Sequence, residues 1–97
     1  MTVCALAPGT RLPPLEGPVL TRTVLALFAG GSGDLNPIHI DPDVARSAGL
    51  DDVFAQGMLS MAVLGRLLTG WTPQSTLRSF RVRFVSITPV NAQPLYA

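Results

Sequence analysis

Residues 57–71 most restrict what this chain can fold into. Met58, Leu59, Met61, Ala62, Val63, Leu64, Leu67 and Leu68 put apolar side chains on every side of a helical wheel. The predicted helix is about four turns long, far short of the ~20 residues that span a bilayer. A helix apolar all round belongs inside a protein, wrapped by other elements. Its large side chains are Met58, Leu59, Met61, Val63, Leu64, Leu67 and Leu68. Left in water at ~1.5–3 kcal/mol each, they would forfeit on the order of 10–20 kcal/mol. A whole domain has a net stability of only ~5–15 kcal/mol. A sheet must therefore cover the helix. Residues 76–88 predict one long strand, with Phe80, Val82 and Phe84 alternating with Arg81 and Arg83 in the period of a half-buried sheet. Residues 19–22 predict a second, short strand. Two strands are too few to enclose the helix, so the chain is expected to be incomplete at its C-terminus or completed by another subunit.

The rest of the chain is punctuated by caps and turns. Residues 1–18 read as an irregular lead-in, since four of the nine prolines and two glycines fall between residues 8 and 18. Thr23 is placed to cap a short helix over 24–28 that stops at Gly30-Gly31. Asp41-Pro42 opens another helix, over 42–47, with a capping carboxylate followed by proline at the first helical position; Gly49 closes it. Residues 50–56 read as a loop, and Pro89 and Pro94 interrupt the segment after the long strand. The 97 residues, 47% of them hydrophobic, are read as one α+β domain without internal repeats.

Several function classes are excluded by composition. A formal charge of +1 offers no basic field for nucleic acid or a membrane surface. Cys4 is the only cysteine, so no intrachain disulfide forms and a reducing cytoplasm is the expected compartment. One cysteine and one histidine do not supply the usual zinc ligand set, and no metal is expected. The first nine residues have no basic n-region and their apolar run is cut by Pro8, so a signal peptide is not expected.

The chemistry concentrates in Gly33-Asp34-Leu35-Asn36-Pro37-Ile38-His39. Upstream glycines let the backbone bend, proline sets its return, and a carboxylate and the chain's one imidazole stand on either side of an Asn-Pro turn. Such a pair can hold one water and move its protons. Asn36 is read as holding the turn more than touching substrate, and Asp41 as a helix cap. Gly30-Gly31-Ser32-Gly33 is no phosphate loop, because no helix follows directly and Asp34 would repel the phosphate. Arg81 and Arg83 are read as a solvated strand face.

The stretch from Phe28 to Ala45 resembles the signature of the MaoC-like hydratases, the (R)-specific enoyl-CoA hydratases and 3-hydroxyacyl dehydratases. The likeness continues through Asp41-Pro42, Gly49-Leu50, Ala55-Gln56-Gly57-Met58-Leu59-Ser60-Met61, Phe80-Arg81-Val82-Arg83-Phe84 and Pro89-Val90. It is greatest toward the catalytic subunits of the two-subunit (3R)-hydroxyacyl-ACP dehydratases of actinobacterial fatty-acid elongation. The resemblance implies a hot-dog fold, an antiparallel sheet curled around a long central helix at 57–71, here without its C-terminal strands. It implies hydration of trans-2-enoyl thioesters, or dehydration of (R)-3-hydroxyacyl thioesters, carried on CoA or an acyl-carrier protein. No cofactor is implied. Asp34 and His39 would handle the water, either one serving as base. The Gly57 amide would steady the developing oxyanion at a helix N-terminus. Asn36 and Met58 would bind substrate or shape the site. Members pair as homodimers or as heterodimers of two hot-dog subunits. The chain departs from the family pattern in having Gln56 where histidine is common, which should matter little if the chemistry there uses a backbone amide. The alternatives are a catalytically inert partner subunit or truncated remnant and, less in keeping with the motif, a thioesterase.

Overall fold

A computed structural model describes residues 7–97; Cys4 and the first six residues of the stretch read for a signal peptide lie outside the described residues. In chain order the elements are β1 (Leu15–Glu16), α1 (Arg22–Ser32), a 3-10 turn (Pro37–His39), α2 (Pro42–Ser47), α3 (Gly57–Trp71), a second 3-10 turn (Gln74–Thr76) and β2 (Leu95–Tyr96).

The expected irregular lead-in is ordered at its C-terminal end. Leu15 pairs with Tyr96 and Glu16 with Leu95, antiparallel. Gly17 N–H then donates to Pro94 O at 3.1 Å, and Leu20 N–H to Ala92 O at 2.8 Å. Proline removes donors only at its own positions, so Leu15, Glu16 and Gly17 keep theirs. Gly17 is required here: a Cβ would lie 2.5 Å from the Tyr96 ring. The strand expected at 19–22 is therefore displaced toward the N-terminus, because Thr21 leaves the extended path to cap α1, accepting from Val24 N–H at 3.2 Å.

α1 also runs further than the sequence predicts. It passes through Gly30-Gly31 and stops at Gly33, whose φ of 79° puts it in the left-handed region, with its N–H on Ala29 O. Each glycine weakens a helix by only about 1 kcal/mol, which does not end it. α2 matches its prediction: Asp41 accepts from Asp43 N–H at 2.9 Å, Pro42 opens the helix, and Gly49 takes a positive φ of 89° just beyond it.

α3 has the predicted bounds but is fully buried on one face only. Leu59, Val63 and Leu67, spaced four apart, are buried, and the first two join Leu20, Leu25, Ala45, Val53 and Ala55 in the core. Met58 is 59% exposed. The predicted strand over 76–88 is extended along α3 but pairs with no neighbour as a strand. Phe84 packs against Gly57 and Phe80 lies near Gly65. Among the described residues its sheet-like links are confined to its end, where Ala55 N–H donates to Thr88 O at 2.9 Å and the adjoining Pro89 bridges to Phe54. A strand exists only through a ladder, and no other described segment supplies one. The radius of gyration, 15.5 Å, exceeds the about 12.5 Å typical of a compact domain of this length. Leu27, Met58, Phe84, Val85, Ile87 and Leu95 stand in solvent as a result.

Candidate active site

The end of α1 delivers Asp34. Ser32 Oγ accepts from Asp34 N–H at 3.2 Å, and Asp34 Oδ1 accepts from Asn36 N–H at 3.3 Å. Asn36 Oδ1 in turn caps the 3-10 turn through Ile38 N–H at 3.1 Å. Each polar side chain thus supplies the donor or acceptor that the irregular backbone lacks. The result carries His39 back toward Asp34, with Nε2 and Oδ2 3.9 Å apart. The Asn36 side-chain oxygen is committed to the turn, which makes this residue a shaper of the site.

His39 is buried and Asp34 is 41% exposed at its side chain. The imidazole sits edge-on to the Phe54 ring at a centroid distance of 4.7 Å, and Nδ1 lies 2.8 Å from Phe54 O. A carbonyl oxygen only accepts, so Nδ1 carries a proton and Nε2 is the nitrogen that faces Asp34; in the singly protonated tautomer it presents a lone pair. Two acceptors 3.9 Å apart do not bond each other; an oxygen about 2.8 Å from both can donate one hydrogen to each. This geometry suits a water; a substrate hydroxyl, with one hydrogen, can donate to only one of the two.

Gly57 is the first residue of α3, where backbone N–H groups lack intrahelical acceptors. Its N–H has no partner among the described residues. A Cβ at this position would lie 3.2 Å from Phe84 Cζ, so glycine also admits the ring that covers it. Phe54, Ala55, Gly57, Ser60, Phe84 and Thr88 help to line a cavity of about 210 Å³. Phe54 therefore touches His39 on one side and borders the Gly57 cavity on the other. Asp34, Asn36, His39 and Met58 are not among the lining residues. A larger apolar cleft follows the C-terminal half of α3, beside Leu64, Leu68 and Phe80, and includes none of Asp34, His39 or Gly57. Among the described residues, no three His, Cys, Asp or Glu side chains come together as a metal site.

The loop that carries Phe54 is pinned to α1. Arg22 Nη1 donates to Asp52 Oδ1 at 2.9 Å and its other terminal nitrogen to Oδ2, while Asp52 Oδ1 also accepts from Val53 N–H at 2.8 Å. The guanidinium bond, with help from the Val53 amide, lowers the Asp52 carboxyl to about 2. Phe54 and Gln56 are the contributors that sequence reasoning missed or discounted. A backbone carbonyl leaves no trace in residue identity, but a glutamine in the apolar run Val53-Phe54-Ala55-Gln56-Gly57-Met58 is a visible signal.

Residues 7–93 match the MaoC like domain. The chain is 31% identical over 71 residues to the mitochondrial 3-hydroxyacyl-[acyl-carrier-protein] dehydratase of Arabidopsis thaliana, covering 73% of this chain and 43% of that protein. It is 32% identical over 63 residues to 3-hydroxyacyl-thioester dehydratase Z of Mycobacterium tuberculosis, covering 65% and 42%. The chain thus spans less than half the length of these relatives. Among solved structures it resembles a MaoC-like dehydratase with a TM-score of 0.57 at 43% identity, over 62% of this chain and 18% of that one. It also resembles the ChsH1-ChsH2 complex of Mycobacterium tuberculosis, with a TM-score of 0.72 at 25% identity, over 82% and 63%. The architecture is accordingly the α+β hot-dog expected from the sequence.

Proposed function

The chain belongs to the MaoC-like domain family, and from that premise we propose that it is a hydro-lyase acting on trans-2-enoyl and (R)-3-hydroxyacyl thioesters. The relatives' names supply the substrate class. The observation that carries the reading is the His39–Asp34 pair, its reactive nitrogen selected by the Phe54 carbonyl.

In the hydration direction, a water held between the two side chains gives one proton to His39 Nε2 while its oxygen bonds to C3 of the enoyl group. The C2–C3 π electrons move to the thioester oxygen, where the Gly57 N–H receives the negative charge. The imidazolium, facing the Asp34 carboxylate, then returns its proton to C2, and water has been added with atoms balanced. Dehydration is the reverse. Asp34 orients the water and stabilises the charged imidazole. Asn36 holds the turn between them. No step here calls on a redox group or metal.

The uncovered apolar surfaces at Met58, Phe84, Val85 and Ile87 support a second hot-dog chain, identical or different, as the partner. The same surfaces favour one alternative, a subunit that binds a companion chain without turning substrate over. A reducing cytoplasm is the proposed compartment, given a single cysteine; no helix among the described residues is long and apolar enough to cross a membrane. The deciding experiment follows the absorbance of a short trans-2-enoyl-CoA with purified chain. Loss of the enoyl band without thiol release supports the hydro-lyase. An unchanged band with folded protein supports the inert subunit, and thiol release identifies a thioesterase.

A further inference from the structure

We propose that Gln56 is a positioning residue whose side-chain amide sets where the Gly57 N–H stands relative to the Asp34/His39 pair; this rests on the hydro-lyase reading above. Gln56 is fully buried, yet it does not cap its own helix. Its Nε2 instead donates to the Leu25 carbonyl of α1 at 2.9 Å, while its Oε1 has no partner among the described residues. A buried polar atom without a partner is costly, and a methionine would fill the same space without that penalty. Packing alone therefore gives no reason for an amide here. The orientation of the amide is chemically determined, because reversing it would set Oε1 against another acceptor.

The bond joins the two parts of the site. Leu25 stands about 12 Å along α1 from the Gly33 cap that delivers Asp34. Gln56 directly precedes Gly57, and its backbone carbonyl accepts from Leu59 and Ser60 N–H at 3.1 and 3.3 Å, so side chain and helix start move together. Two residues upstream, the Phe54 carbonyl holds His39, and between them Ala55 is bonded to Thr88. Residues 54–56 thus tie the proton-transfer pair and the unpaired glycine amide to one frame. Losing the Gln56–Leu25 bond frees the Gly57 end while leaving Asp34 and His39 in place.

The test compares Gln56→Met, which removes the bond at similar volume, with Gln56→His, which restores a ring N–H donor. In the full chain, Q56M is expected to keep the wild-type melting temperature within a few degrees, lose at least tenfold in kcat and leave KM within about twofold; Q56H is expected to recover most of the loss. Unchanged kcat in folded Q56M overturns the proposal, as does a loss that Q56H leaves unrepaired. Should Q56M not fold, folded Q56H decides alone: kcat within about threefold of wild type supports the role, and a tenfold loss overturns it. An inactive wild type sinks the hydro-lyase reading instead. The spectrum of 15N-labelled protein then decides the positioning role: loss in Q56M of the nuclear Overhauser contact between the Gly57 amide and the Phe84 ring, while the Asp34 and Asn36 cross-peaks stay put, supports it, and a retained contact overturns it.

Discussion

His39 Nδ1 lies 2.8 Å from the carbonyl oxygen of Phe54, and that contact assigns the ring's two nitrogens to different duties. One is spent on holding the imidazole, and the other faces Asp34 with a free lone pair. His39→Asn separates the duties, since the asparagine amide can still donate to Phe54 while nothing replaces Nε2. We expect H39N to melt within a few degrees of wild type and to lose about 10²–10⁴-fold in kcat for enoyl-CoA hydration, the range for removing a general base. Steady-state turnover near the wild-type rate in folded H39N is the result that rejects the role.

Asp34→Asn keeps an oxygen that can accept from Asn36 N–H, so the turn survives. Its neutral amide can no longer balance an imidazolium 3.9 Å away. The expected outcome is unchanged thermal stability with kcat down by about 10²-fold or more. A stability loss equal to the activity loss would instead mean that Asp34 serves the turn.

Gly57→Ala puts a methyl group 3.2 Å from Phe84 Cζ and beside the helix-start amide. The partly exposed ring must shift, and a thioester oxygen can no longer approach the N–H closely. We expect G57A to lower kcat by more than tenfold, about 1.4 kcal/mol. Adding Phe84→Ala should restore the wild-type melting temperature but not the rate, because Phe84 relieves the crowding and not the blocked amide. Calorimetry and kinetics on the single and double variants separate the two effects.

Acid should loosen the loop that bears Phe54. The Asp52 carboxyl is lowered to about 2 in the folded chain by Arg22, against an ordinary value of 3.8. A lowered carboxyl contributes stability that is fully present above its ordinary value and is lost as pH falls from about 4 through about 2. The gap in melting temperature between wild type and Asp52→Asn should therefore be constant above pH 5, shrink below pH 4 and vanish only below pH 2. Both groups meet solvent, so salt should reduce the gap. A gap independent of pH would show that the pair does nothing for the loop.

Val85 is 83% exposed within an apolar, unpaired segment. Val85→Lys should leave the melting temperature of the isolated chain unchanged while raising its solubility and weakening its association, read by sedimentation velocity. Equal association of both proteins places the covering surface elsewhere.

The parts of the site legible in the sequence are those made by neighbours in the chain. Asp34, Asn36 and His39 are organised by hydrogen bonds spanning two or three residues, and Asp41-Pro42 and Gly57 mark helix starts through local backbone chemistry. Residue types alone therefore announce the turn, the acid–imidazole pair and the bounds of α2 and α3. They do not announce that Gly30-Gly31 continues a helix, since the stop depends on which glycine takes the left-handed conformation.

Tertiary structure alone decided the rest. The Phe54 carbonyl that selects the reactive nitrogen of His39 lies fifteen residues away, and the Leu25 carbonyl that anchors Gln56 lies thirty-one away. Leu15 finds its partner at Tyr96, while residues 76–88, with a clear alternating pattern, find none. Alternation states which side of a strand is apolar, but a ladder needs a second backbone at hydrogen-bonding distance, and only the folded arrangement determines whether one is there.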